Sequence, residues 1–498
     1  MGNIALLFNY MQNLLLASNN GSLYFINTDN TFIFASESLI LKTLIKKEKL
    51  KINSHLIKQL NPNNALLLDI STLSISVIDF KNSESNFNNE IALKTLLQIN
   101  ELTTELNNKG NYINTSLNHY NISVPQVFIE HYNFCKEKNA TLKRCNKCLL
   151  PETFPFIEFD EKGVCNKCNS YIKQQPLGIE ALKEKIAPFK KNNGKPDCIV
   201  AFSGGRDSSY SLHVIKNILG LTPLAYSYDW GMLTDLARRN QARMCGKMGI
   251  EHILISADIR KKRINIRKNV LAWLNKPSLG TIPLFMAGDK QYFYFASKLQ
   301  KQYNLPLLIM GENHFEKTGF KVEFTGARQQ LNGSMAYNMT IQNKIRILYF
   351  YVGQFLKNPA FINKSLFDTF AAFFIFYGHK HNHLNIYDYI SWNEKEIENL
   401  LLNEYHWETE PEYDSTWRIG DGTAAFYNYI YYIVTGFTEN DTLRSNLIRE
   451  GAISREEALK KCEKENLPRW NAINWYCNTI GIDFENTIRR INKIPKIF

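Results

Sequence analysis

Two adjacent glycines between an apolar run and a helical pattern constrain this chain more than any other feature. The run is Ser203-Gly204-Gly205-Arg206-Asp207-Ser208-Ser209. It follows Cys198-Ile199-Val200-Ala201-Phe202 and precedes Leu212, Ile215 and Leu219, which recur at the spacing of a helix's core face. The pattern is strand, tight turn, helix. Glycine lets the turn aim several N–H groups at one point, and the helix N-terminus adds partial positive charge there. Such a turn is built to hold phosphate or pyrophosphate. Its spacing is not the GxxxxGK(S/T) of a kinase or GTPase loop.

At 498 residues the chain exceeds what one core usually supports, so roughly two to four domains are expected. With 44% apolar and 21% charged residues its composition is that of a globular protein. No apolar stretch approaches the ~20 residues that span a bilayer; the nearest, 366–377, carries Asp368. No basic segment precedes the first apolar residues, and Leu6 breaks a myristoylation pattern, so a cytoplasmic location is expected. The net charge of +12 suits an acidic partner such as nucleic acid or a nucleotide-linked substrate. Six of the nine residues at 260–268 are basic, which reads equally well as a solvated helix face.

Nine cysteines in a chain of this kind do not form a disulfide framework. Four have a better use. Cys145 and Cys148, then Cys165 and Cys168, are two CxxC pairs with sixteen residues between them, the spacing of a four-cysteine zinc site. Four thiolates complete a closed tetrahedron with no open position, so the metal is expected to be structural. An iron–sulfur cluster also takes four thiolates. Asp160-Glu161-Lys162-Gly163 looks like a hairpin turn between the pairs. Cys135, Cys198, Cys245, Cys462 and Cys477 are expected to be small buried residues.

Residues 1–85 read as a small β-rich domain with strands at 4–8, 22–27, 31–35, 65–69 and 74–78. Residues 86–140 read as a helical linker and 141–172 as the cysteine knuckle. Between 173 and 334 strands and helices alternate: strand 198–202, helix 208–219, strand 224–228, helix 234–248, strand 252–256, and a last strand at 307–310. Alternation implies an α/β fold with a parallel sheet covered on both faces. Ligands in such sheets sit at the carboxyl ends of strands. That gathers the 203–209 loop, Asp229-Trp230-Gly231 and Gly311-Glu312-Asn313 around one crevice. Residues 335–498 read as a helical region, with the aromatic run at 370–377 as a buried helix.

The 203–208 run resembles the SGGxDS loop of the ATP pyrophosphatase, or PP-loop, superfamily, whose members split ATP between its α- and β-phosphates and adenylate a substrate oxygen. The order of parts resembles, more narrowly, the N-acetyl sugar amidotransferase family of bacterial surface-polysaccharide (O-antigen) clusters. The matching residues are Arg144-Cys145-Asn146-Lys147-Cys148-Leu149-Leu150-Pro151, Cys165 and Cys168, the 203–208 loop, and Gly311-Glu312-Asn313. A weaker C-terminal match runs from Leu447-Ile448-Arg449-Glu450-Gly451 to Ser454-Arg455-Glu456-Glu457-Ala458. Arg206 stands where many such loops carry Lys or Leu, and is expected to keep positive charge near the phosphates. Gly21-Ser22-Leu23-Tyr24 and Phe34-Ala35-Ser36-Glu37 resemble the latter half of an asparagine synthetase glutaminase domain. Those domains begin with a catalytic cysteine; here position 2 is Gly and the first cysteine is Cys135, so the segment is expected to be a degenerate remnant.

The resemblance implies ATP-dependent conversion of an acetamido sugar, nucleotide- or lipid-linked, to an acetamidino sugar, with ammonia from a separate glutaminase. It further implies that Ser203, Gly204, Gly205, Arg206, Asp207, Ser208 and Ser209 bind ATP. Asp207 and Asp229 would act on Mg²⁺ or ribose, and Glu312 on the acyl group or ammonium. Competing readings are a tRNA-thiolating PP-loop enzyme, an asparagine synthetase-like enzyme that amidates a carboxylate, and a non-catalytic zinc scaffold for a glutaminase.

Overall fold

The computed structural model describes residues 3–8, 12–18, 21–50, 52–62, 64–79, 122–316, 319–328, 339–378, 383–410 and 415–498. They fall into two units, Met1–Asn121 and Ile122–Phe498. The first holds β1 (Asn3–Phe8), β2 (Asn13–Ser18), β3 (Leu23–Thr28), β4 (Thr31–Ala35), α1 (Ser38–Lys47), β5 (Lys58–Leu60), β6 (Asn64–Asp69) and β7 (Ile75–Asp79). These form two antiparallel sheets, β1-β2-β6-β7 and β4-β3-β5. Side chains alternate along a strand, and β3 uses both directions. Its Leu23 and Phe25 join Leu16, Leu66 and Leu68, while Tyr24 and Ile26 meet Leu41 of α1.

The strand periodicity of this unit is legible in its sequence, but β2, β5 and α1 are additions. Leu14-Leu15-Leu16 has no alternation, and only pairing with β1 and β6 on either side makes it a strand. Gly2 and the 86–121 part of the expected linker lie outside the described residues.

The second unit begins with α2 (Gln126–Ala140), α3 (Asn166–Asn169) and α4 (Ile179–Ile186). The alternating section follows: β8 (Cys198–Ala201), α5 (Arg206–His213), β9 (Pro223–Asp229), α6 (Asp235–Met248), β10 (Glu251–Ser256), α7 (Ile259–Asn275), α8 (Tyr292–Tyr303), β11 (Leu308–Met310) and α9 (Phe320–Glu323). Next come α10 (Ile341–Lys357), α11 (Leu366–Phe373), β12 (Leu384–Asn385) and α12 (Glu394–Tyr405). The five strands form one parallel sheet in the order β10-β9-β8-β11-β12. Val200 lies opposite Ala225 on one side and Ile309 on the other. Alternate residues of β8 enter different cores. Cys198 and Val200 pack with Leu212 and Met244, and Ile199 packs with Phe293 and Leu299. The sheet is thus covered on both faces, as its continuous apolar strands require.

The chain ends in α13 (Ala424–Thr435), α14 (Glu439–Glu450), α15 (Arg455–Glu465), α16 (Trp470–Ile480) and α17 (Phe484–Asn492). Their core takes in Tyr427, Tyr431, Tyr476 and Ile488 together with Trp273 and the four paired cysteines. The region after 335 is largely helical but also supplies β12 to the sheet, and α12 packs on α5. The aromatic run at 370–377 corrects the sequence reading. It is helical, yet Phe370 and Phe374 are exposed. A helix this short buries one side, and Ala372 and Phe376 occupy it. No described helix is long and apolar enough to cross a membrane.

Candidate functional site

The connection from β8 leads to β9 on one side, whereas β11 lies on the other. The carboxyl ends of β8 and β11 therefore flank a switch point, where a parallel sheet opens a crevice. The 203–209 loop fills it. Gly204 has φ +79°, and a Cβ there would lie 2.5 Å from the Ala237 carbonyl oxygen and 2.9 Å from Gln241 Cγ. Gly205 has an ordinary φ of −80° and begins α5. The two glycines thus do different things: Gly204 turns the chain against α6, and Gly205 leaves open space over the helix N-terminus.

Ser203 Oγ and Ser208 Oγ lie 3.0 Å apart, and Ser208 Oγ accepts from the Ser203 amide at 3.2 Å. Ser203 Oγ accepts from the Gly205 amide at 3.2 Å. The amides of Arg206, Asp207 and Ser208 open α5, where a helix has no acceptors of its own for them. Two hydroxyls and the first turn of α5 thus gather at one point, with Ser208 Oγ also donating to Gly205 O at 3.1 Å; donors at a helix N-terminus suit an anion. Ser209 is outside this group. Its hydroxyl is fully buried and finds no partner among the described residues.

Arg206 also turns away. Its Nη1 donates to Glu394 Oε1 and to Thr416 Oγ1, both at 2.9 Å, and its Nε donates to Asp207 Oδ1 at 3.0 Å. The guanidinium lies 4.8 Å from the Trp392 ring centroid. The side chain expected near the phosphates is instead a buried tie to α12, because Glu394 and Asp207 supply fixed negative charge inside the unit. Glu394 also binds Arg444 (2.8 Å) and Lys461 (2.9 Å). Burial opposes its ionisation, but these cations win and hold its pKa down at about 2.

Asp207 accepts from Trp392 Nε1 at 2.9 Å and from Asn313 Nδ2 at 3.3 Å, besides Arg206. Burial works against its charge, yet Arg206 and these donors keep its carboxyl below the usual range. Glu316 is the opposite case. Its Oε1 lies 3.5 Å from Arg206 Nη2, and its side chain keeps 21% of its surface open. Burial and the neighbouring Asp207 charge push its pKa up to about 8. The two carboxyls are thus pushed in opposite directions, Arg206 favouring the charged form of Asp207 and burial beside that charge favouring the protonated form of Glu316. The sequence reading missed Glu316, four residues beyond Glu312; the only signal was its place in the same post-strand loop.

Glu312 is held by its backbone: its amide donates to Asn385 Oδ1 at 2.9 Å and its carbonyl accepts from Asn385 Nδ2 at 3.0 Å. Gly311 lets this loop press on α5, since a Cβ there would meet Ser211 Oγ at 2.1 Å. Asp229 is buried, accepts from the Gly231 amide at 2.8 Å, and pairs with Arg238. Asp207 and Asp229 are each committed to an arginine.

A second element absent from the sequence reading is the turn at 417–422. Gly420 packs beside Ser203 O and Ala237, and Leu233 bridges to Asp421. Arg418 sits there with φ +58°, a left-handed backbone rare outside glycine. Burial disfavours its charge, but Glu439, Tyr427, Glu316 and Asp421 more than compensate and raise its pKa. The glycines at 420 and 422 were the available signal.

The four paired cysteines meet, their sulfurs all within 4.8 Å of one another. Cys145 and Cys168 Sγ lie 3.8 Å apart, as do those of Cys148 and Cys165. Zn–S bonds of ~2.3 Å in a tetrahedron give edges of ~3.8 Å, so the set fits one zinc ion. A multi-iron cluster would hold its cysteines farther apart. The hairpin between the pairs is present: Phe159 bridges Cys165, and the Gly163 amide donates to Asp160 O at 2.9 Å. Amides of Lys147, Cys148 and Cys165 donate to Cys145 Sγ at 3.2 to 3.4 Å. Arg449 adds Nε to Cys168 Sγ at 3.4 Å, and Arg455 Nε donates to Cys148 O at 3.2 Å. The C-terminal motif therefore serves the knuckle, offsetting thiolate charge from outside the ligand set.

No family model matches the chain. An uncharacterized protein of Methanocaldococcus jannaschii is 28% identical over 120 residues, or 23% of this chain and 43% of its own length. The chain thus spans under half of that curated relative. Among solved structures, an NH3-dependent NAD synthetase from Campylobacter jejuni subsp. jejuni, in complex with the nitrate ion, aligns over 41% of this chain and 93% of its own. The identity is 14% and the TM-score 0.20, a superposition too loose to establish a shared fold.

Proposed function

We propose that this chain is an ATP-dependent, AMP-forming enzyme of the PP-loop type that adenylylates an acyl oxygen so that ammonia can displace it at the acyl carbon, and that its substrate is an acetamido sugar. The observation that carries the reading is the gathering of Ser203, Ser208 and the α5 N-terminus at the switch point of a parallel sheet. Such a group suits the β,γ-pyrophosphate of ATP. Binding there leaves the α-phosphorus as the electrophile. The amide oxygen of the substrate attacks it, pyrophosphate leaves, and the adenylylated imidate accepts ammonia and expels AMP to give an amidine. Mg²⁺ bound to the nucleotide would neutralise charge on the leaving group.

Glu316 suits proton exchange with the reacting nitrogen, because a carboxyl with a pKa of about 8 gains and loses a proton near working pH. Asp207 positions it. Glu312 remains the second candidate for orienting the acyl group. The zinc knuckle is structural, being closed and buried. In this reading a separate glutaminase supplies the ammonia. A tRNA-thiolating role is disfavoured, since a sulfur carrier needs an accessible thiolate and all nine cysteines are buried.

The test is product analysis on the purified chain with ATP, Mg²⁺, ammonium chloride and a panel of acetamido sugars. AMP and pyrophosphate formed with an amidino sugar are expected. ADP and phosphate would overturn the loop assignment, and efficient turnover with glutamine alone would overturn the reading of the first unit.

A further inference from the structure

One surface of the second unit combines exposed apolar side chains with unopposed positive charge. On α10, Ile341, Ile345, Leu348, Val352 and Leu356 are exposed. Their spacing of four, three, four and four residues puts them on one stripe. The adjoining side of α10 packs inward through buried Ile347 and through Tyr351 and Phe355 of the main core. The chain after α10 runs back beside it: Lys344 Nζ donates to Tyr377 O at 2.6 Å at one end, and Phe355 meets Phe361 at 5.7 Å at the other. From this second arm Phe367, Phe370 and Phe374 stand 79%, 47% and 66% exposed. Monomeric surfaces rarely keep an apolar patch of this extent without an occupant.

The charge around it has one sign. Residues 340–367 include Lys344, Arg346, Lys357 and Lys364 and no acidic residue. The next carboxylate, Asp368, is bound to Lys262 Nζ at 2.5 Å and Asn265 Nδ2 at 2.6 Å. Those partners belong to α7, which packs on the turn between the two arms. A second copy of the chain docked about a two-fold axis would set these cations against themselves. An anionic lipid surface offers an apolar layer and opposite charge together.

We propose that the α10–α11 hairpin is a peripheral docking surface for an anionic lipid bilayer, lying in the interface without spanning it. It does not depend on the chemistry at the 203–209 loop, so either can fail alone. The experiment is sedimentation of the full chain with vesicles of phosphatidylcholine, or of two parts phosphatidylcholine to one part phosphatidylglycerol, at low and high salt. Binding to the phosphatidylglycerol vesicles is expected, weakening as salt screens the lysines. Leu356→Glu with Phe367→Glu should lower partitioning on the order of a hundredfold, and Lys357→Gln with Lys364→Gln on the order of tenfold. All four side chains are exposed, so unchanged circular dichroism and zinc content should accompany the loss. Equal binding to both vesicle types, no binding, or binding indifferent to the variants would overturn the proposal. So would a dimer in sedimentation equilibrium that the Leu356 and Phe367 changes dissolve.

Discussion

Replacing Gly204 by Ala should damage this protein far more than the same change one residue later. At Gly204 the new methyl group would sit 2.5 Å from a carbonyl oxygen and 2.9 Å from Gln241 Cγ. The Gln241 side chain can swing aside. The Ala237 carbonyl cannot, because it belongs to the first turns of α6. A φ of +79° adds ~1–2 kcal/mol for any L side chain. Relief of the overlap costs a further ~1–3 kcal/mol. A total of roughly 2–5 kcal/mol corresponds to a melting temperature lower by roughly 2–6 °C, with the loop displaced. At Gly205 the φ is −80°, and a methyl group would meet only Ser203 Oγ at 3.3 Å. Gly205→Ala should therefore change stability by no more than ~0.5 kcal/mol, while crowding whatever anion sits over the helix N-terminus. Thermal melts paired with calorimetric titration of pyrophosphate separate the two effects. Equal melting temperatures for Gly204→Ala and the parent chain would refute the backbone argument.

Glu316 makes stability fall with pH. A carboxyl whose folded pKa is about 8, against an ordinary 4.5, holds a proton that the unfolded chain releases, so stability declines between those values and levels off above. Glu316→Gln should remove that part of the decline in melts from pH 5 to pH 9. A slope identical to that of the parent would show that Glu316 ionises normally in the folded state. Arg449→Ala should leave the four cysteines in place yet weaken zinc about 10–100-fold, as loss of a supporting partner does. Competition with a chromophoric chelator reads this directly, and unchanged affinity would remove Arg449 from the metal's support.

How much was legible in advance differs by element. The strand–turn–helix at 198–213 declares itself because glycine, serine and apolar periodicity are local signals. The two CxxC pairs declare a metal for the same reason, since ligand spacing is a chain property. The exposure of Phe370 and Phe374 was not legible. A run of aromatic residues looks the same whether a neighbour covers it or not.

The sequence by itself determined the α/β alternation and the two CxxC pairs, each read from patterns local to its own segment. Tertiary structure decided which groups meet across long separations. It turned Arg206 from the phosphates to Glu394, 188 residues away. It brought Glu316 against Asp207, set the 417–422 turn beside the loop, and carried Arg449 to the cysteines. All but the turn are charges whose partners lie in another element. Burial makes such charges find opposite charge or take up a proton, and only the packed fold shows which.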